Sequence, residues 1–96
     1  AANVFKATKC NYNVALNQVL SKDYTAAKST VECIQNKEAK EYYLMAIIGA
    51  RTNDANLLFK NLAKACEINP DMKKQALKDI EFKNFRDNAA FKDAIK

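Results

Sequence analysis

The amino-acid sequence predicts an all-α protein assembled from antiparallel helical hairpins, and three observations carry that prediction. Gly and Pro occur once each in 96 residues, too few turn formers for sheets joined by tight connections. Apolar residues return at the i, i+3, i+4, i+7 spacing of amphipathic helices along most of the chain. A shift of 31 residues also lays one stretch on another, apolar on apolar, the mark of an internal repeat.

The elements follow in order. "AANVFKAT" places Ala1, Val4, Phe5 and Thr8 at helical spacing, so residues 1–9 are expected to be the end of a preceding helix and the chain to be a piece of a larger protein. In "NYNVALNQVLSKD", Tyr12, Ala15, Leu16, Val19 and Leu20 form the stripe of a helix about ten residues long. Asp23 caps a second helix whose stripe is Tyr24, Ala27, Val31 and Ile34, and the short turn at Ser21 and Lys22 makes the pair antiparallel. This is hairpin one, residues 10–36. Asn36 is the expected cap of a third helix, Glu38 to Arg51, whose acids in the first turn and Arg51 in the last suit the helix dipole. A fourth helix after "TND" carries Ala55, Leu58, Phe59, Leu62, Ala65, Cys66 and Asn69 on one face, completing hairpin two, residues 37–69. Asn69 and Pro70 read as the cap and first position of a fifth helix, Asp71 to about Asp79, so residues 70–96 hold a solitary helix and a capping segment.

The repeat pairs Tyr12 with Tyr43, Ala15 with Ala46, Leu16 with Ile47, Val19 with Ala50, Asp23 with Asp54, Val31 with Leu62 and Ile34 with Ala65. One hairpin cannot bury both its faces, whereas stacked hairpins share a core. The uncharged run Tyr43 to Ala50 is then expected to be a helix covered nearly all round, with Ala46 and Gly49 as the small residues that let its neighbours come close.

"AKEYYLMAIIGARTNDANLLFKNLAKACEINP" resembles a tetratricopeptide repeat: Tyr42, Met45, Ala46, the turn residues Asn53 and Asp54, then Leu58, Leu62, Ala65 and the closing Pro70 stand in the family's order. Gly49 departs from the usual tyrosine and Leu58 from a small alanine, which implies a looser hairpin crossing. "NYNVALNQVLSKDYTAAKSTVECIQ" resembles a shorter copy. The tail "DIEFKNFRDNAAFKDAIK" resembles the closing segment of such arrays, with Phe82, Phe85 and Phe91 plugging the end of the core. The resemblance covers roughly residues 8 to 96. It implies one domain over 1–96: a short right-handed superhelical solenoid with a C-terminal capping helix. The wording is also similar to envelope or secreted proteins of the Bacteroides group. That likeness implies the C-terminal part of a larger protein in the periplasm, at the outer membrane or secreted, with a cytoplasmic location as the alternative.

Composition narrows the chemistry. Without histidine the chain lacks the usual general base and the commonest metal ligand, so no enzyme activity, metal or cofactor is expected. Three cysteines contain no C-x-x-C pair, and a single glycine builds no phosphate-binding loop. Glu32, Glu38, Glu41 and Glu67 read as solvated partners of nearby lysines. No apolar run reaches the ~20 residues that cross a bilayer, and no signal-peptide pattern is present. The net charge of +5 is spread along the chain, with "DMKKQALKD" the one local basic cluster, so nucleic acid is not an expected partner.

What remains is recognition of a protein or peptide by a monomer or weak oligomer. The resemblance implies a groove lined by the first helices: Tyr12, Asn13, Leu16 and Leu20, then Lys40, Tyr43, Ile47 and Arg51, rimmed by Lys74 and Lys78. Core packing is the competing reading for Tyr12, Leu16, Tyr43 and Ile47, since apolar stripes usually serve the core. A helical carrier of a hydrophobic ligand is the alternative function, and a basic nucleic-acid-binding domain ranks below it. In a hairpin turning near Lys22, Cys10 and Cys33 lie at matching heights. The geometry predicts their proximity and leaves a disulfide open. Cys66, on the buried stripe of the fourth helix, is expected to pack as a small apolar residue.

Overall fold

Every secondary-structure element of the computed structural model is helical over the described residues, 10–96. The expected end of a preceding helix at residues 1–9 lies outside them. The order is α1 (Tyr12–Leu20), α2 (Tyr24–Cys33), α3 (Ala39–Arg51), α4 (Ala55–Ile68), α5 (Asp71–Lys78), a 3₁₀ helix (Ile80–Phe85) and α6 (Ala89–Ala94). The chain divides into two units, Ala1–Lys37 and Glu38–Lys96.

In the first unit α1 packs on α2. Asn11 Oδ1 accepts the Val14 N–H at 2.9 Å, capping α1, and Asp23 does the same for α2 through the Ala26 N–H. Between them Ser21 ends α1, Lys22 takes the left-handed conformation (φ 64°), and the N–H groups of Lys22 and Asp23 return to the carbonyls of Val19 and Gln18. This is a Schellman turn whose last residue is already the next helix's cap. Among the described residues of this unit the buried ones are small: Ala15, Val19, Ala27, Thr30 and Val31. The Thr30 hydroxyl donates to Gln18 Oε1 at 2.6 Å, a polar link from α2 to α1. At the open end Cys10 and Cys33 are joined by a disulfide, their Cα atoms 5.5 Å apart. Closing a loop of that length contributes about 3 kcal/mol in the chain-entropy account. Ile34, expected on the buried stripe, lies past the end of α2 with extended backbone (ψ 126°) and is half-buried.

The second unit repeats the turn. Thr52 ends α3, Asn53 is left-handed (φ 59°), and the N–H groups of Asn53 and Asp54 return to the carbonyls of Ala50 and Gly49. Asp54 Oδ1 then caps α4 through the Leu57 N–H. The start of α3 corrects the expectation at Asn36, since the cap residue is Glu38. Glu41 reaches back to accept the Glu38 N–H at 2.7 Å, the return half of a capping box. That contact takes Glu41 out of the solvated set of acids, and it is only 4 % exposed.

Along α3, Tyr43 to Ala46, Ile48 and Gly49 are buried, with Ile47 and Ala50 half-buried, as the uncharged run predicts. The looser crossing expected at Gly49 and Leu58 is not what the structure has. A Cβ added at Gly49 would lie 2.5 Å from the Leu58 nitrogen and 2.9 Å from its Cα, so α3 and α4 meet there backbone to backbone. On α4, Leu58, Leu62, Ala65 and Cys66 are buried, while Ala55 is exposed. Helix α5 ends at Lys78, one residue earlier than expected, because Asp79 turns away to cap the 3₁₀ helix, its Oδ1 accepting the Glu81 N–H at 2.9 Å. Asn69 Oδ1 accepts the Asp71 N–H at 3.1 Å at the start of α5, and Pro70 has helical backbone (φ −58°, ψ −22°).

The core of this unit joins Tyr43, Ala46, Leu58, Leu62, Ala65, Cys66, Ala76, Phe82 and Phe91, with Phe85 half-buried against it. Phe82 meets the Tyr43 ring edge to face at 5.5 Å and the Phe91 ring at 5.9 Å. Phe82 and Phe91 are its largest fully buried side chains. The tail thus adds two large rings to a core in which α4 already buries Leu58 and Leu62.

Candidate functional site

The sequence-predicted binding residues fall in different environments. Tyr12 is half-buried and Asn13 exposed in the first turn of α1. Lys40 is exposed near the start of α3. Tyr43 does not line an open groove. It is 5 % exposed, packs on Phe82 and donates its hydroxyl to Asp79 Oδ2 at 2.6 Å. Burial first, and that hydrogen bond second, push its phenol well above the ordinary value. Ile47 is likewise half-buried against the core. The core reading therefore wins for both. Tyr43 packs on Phe82 of the tail, and Ile47 packs against the same core.

Arg51 is engaged by Glu81, with Nε 3.0 Å from Oε1 and Nη2 2.5 Å from Oε2, a two-pronged ion pair from the end of α3 to the 3₁₀ helix. Asp79 joins three parts of this unit. Its carboxylate accepts Tyr43 and the Glu81 N–H, and its carbonyl accepts Arg86 Nη2 at 2.8 Å. These polar contacts fasten the capping segment to α3. Sequence reasoning missed Asp79, Glu81 and Arg86 because their partners are 30 and 36 residues away or within an irregular turn. The one local signal was Asp79 two residues before Glu81, an aspartate placed to cap a new turn.

Lys74 and Lys78, four residues apart on α5, are exposed. Only Ala76 of this helix is buried. Leu77 and Ile80 stand 52 % and 79 % exposed in the same stretch, large apolar side chains left in solvent. The stretch from Lys74 to Ile80 therefore presents two cations and two apolar side chains outward. Carbon surface of this kind gains from being covered, at about 25 cal/mol per Å².

On the first unit an open depression of about 310 Å³ is lined by Val14, Asn17, Gln18, Ser21 and Asp23. Among the described residues no group of three or more His, Cys, Asp or Glu side chains is placed to hold a metal ion, and no helix is long and apolar enough to cross a membrane. Comparison with protein-family models, curated proteins and solved structures finds no match for this chain.

Proposed function

We propose that the chain is a protein-interaction module of the tetratricopeptide-like solenoid type, carried in an exported protein. Its partner is a protein or peptide segment docking on residues 74–80 of the second unit. The observation that carries this reading is the exposure of Leu77 and Ile80 beside Lys74 and Lys78. A segment with apolar side chains flanked by carboxylates fits that chemistry, because the apolar pair supplies burial and the lysines steer an acidic approach. The two hairpins with one turn design at a 31-residue shift support the repeat reading. The Cys10–Cys33 disulfide supports export, since such bonds persist in oxidising compartments. The carrier alternative asks for an enclosed apolar cavity, and the depression on the first unit is open to solvent rather than enclosed, which does not favour it.

The test is selection of peptides from a random library on the 96-residue chain, followed by mapping of a bound peptide by amide chemical shifts. The expected result is acid-flanked apolar peptides that shift residues 74–80 and lose binding to Leu77→Asp or Ile80→Asp. Shifts confined to other surfaces, or binding indifferent to both substitutions, would reject the reading.

A further inference from the structure

We propose that the Cys10–Cys33 bond is a redox control on the fold of the first unit: α1 and α2 keep their hairpin while the bond is closed and lose it on reduction, whereas α3 to α6 stay folded in either state.

The first unit's described part has two helices of 9 and 10 residues. Helices so short are marginal by themselves. The residues they bury are two alanines, two valines and a threonine, with no aromatic or leucine among them. A segment of this size rarely folds without a cross-link or another outside support. The Schellman turn holds one end of the hairpin through local hydrogen bonds, and the disulfide is what closes the other. The second unit differs on each point. It buries Leu58, Leu62, Phe82 and Phe91 completely. Its own cysteine, Cys66, is a buried thiol that desolvation holds above its ordinary pKa, so it stays protonated and inert.

Cys33 is exposed, so a reductant can reach the bond. The electrons come from a dithiol. One thiolate attacks a cysteine sulfur, the S–S bond breaks, and the other cysteine leaves as a thiolate that takes up a proton. The reductant's second thiol then displaces the first cysteine, which is protonated in turn, and the dithiol ends as a cyclic disulfide. Two electrons and two protons pass to the pair. The control does not depend on which partner the module binds.

Amide hydrogen exchange on the intact chain tests this, with and without dithiothreitol, alongside a Cys10→Ser, Cys33→Ser double variant. Opening the bond is expected to lower protection across α1 and α2 on the order of a hundredfold, the equivalent of the loop-closure term, and to leave α3 and α4 unchanged. Titration of thiols in the unfolded, unreduced chain should find one, Cys66. The proposal is overturned by three titrating thiols, by no protection in α1 and α2 of the oxidised chain, by protection there that survives reduction, or by equal loss in both units.

Discussion

At Ser21–Asp23 and again at Thr52–Asp54 the chain reverses through the same set of backbone hydrogen bonds, with a left-handed residue in the middle and an aspartate that caps the helix to come. The helices leaving these turns are then held by different means. Among the described residues of the first unit a polar link from Thr30 to Gln18, a few small apolar residues and a disulfide do the work. In the second, Gly49 replaces Gln18 at the matching place, the backbones touch, and three tail phenylalanines pack on or against the hairpin core. The lesson is that the reversal is a local property, encoded in three or four residues. Stability depends instead on what the rest of the chain brings to the hairpin.

The comparison breaks most visibly at the aromatic core. Phe82→Ala removes a fully buried ring that meets both Tyr43 and Phe91, and should cost about 3–5 kcal/mol. Chemical denaturation followed by a signal from residues 38–96 checks this. A loss below about 1 kcal/mol would mean the tail is not the keystone of the second unit.

Tyr43→Phe keeps the ring and removes the hydroxyl, leaving Asp79 one donor short. The expected loss is about 1.5–3 kcal/mol, typical for a hydrogen bond to a charged group. It also predicts a pH dependence. The raised phenol pKa means that above its ordinary 10.0 the unfolded chain releases a proton the folded one retains, so stability falls with rising pH. Cys66, raised by burial from 9.0, adds a loss of the same sign that begins earlier. Below pH 8 neither contributes a slope. Denaturation at pH 8, 9.5 and 10.5 should show a progressive decline, and Tyr43→Phe should remove the part that sets in above 10.0. A flat profile in the parent protein would contradict the buried phenol.

Gly49→Ala sets two effects against each other. Alanine is the better helix former by about 1 kcal/mol. Its Cβ, however, would sit 2.5 Å from a backbone nitrogen that no rotamer change can move. Overpacking should win, for a net loss of about 1–3 kcal/mol. A gain in thermal stability would show that α3 and α4 separate at little cost. The matched substitution in the first unit, Gln18→Ala, sharpens the contrast, since there the question is only the link to Thr30.

The smallest effect belongs to Arg51→Ala. The pair with Glu81 has side chains 29 % and 23 % exposed and two-pronged geometry, so a loss of no more than about 1 kcal/mol is expected, diminishing in high salt. A double-mutant cycle with Glu81→Gln isolates it. Coupling that ignores salt would place the pair in a drier setting than its exposure indicates.

Much of this was legible beforehand. The aspartate caps at 23 and 54, the helix stop at Asn69, the burial of Ala46, Ala65 and Cys66, and the plugging role of Phe82 and Phe91 all followed from spacing, local cap chemistry or resemblance. The cap of α3 was misplaced by two residues, since Asn36 is a good cap by type, whereas Glu38 is a cap through a reciprocal contact with Glu41. The candidate site was read less well. Tyr43 and Ile47 sit on a stripe that serves a groove or a core equally in one dimension, and only the placement of the tail turned it inward. The exposure of Leu77 and Ile80 leaves no mark in the sequence, because the same apolar residue types are usually buried.

By itself, then, the sequence determined where helices start, stop and reverse, because capping groups, left-handed turns and a 3.6-residue period act over a few residues. The tertiary structure alone decided which apolar stripe is buried, how closely α3 and α4 cross, and which charges Arg51 and Asp79 meet. Those outcomes depend on groups brought together across a turn, as at Gly49 and Leu58, or from 30 and 36 residues away, as at Arg51 with Glu81 and Tyr43 with Asp79, and no helical period records such a meeting.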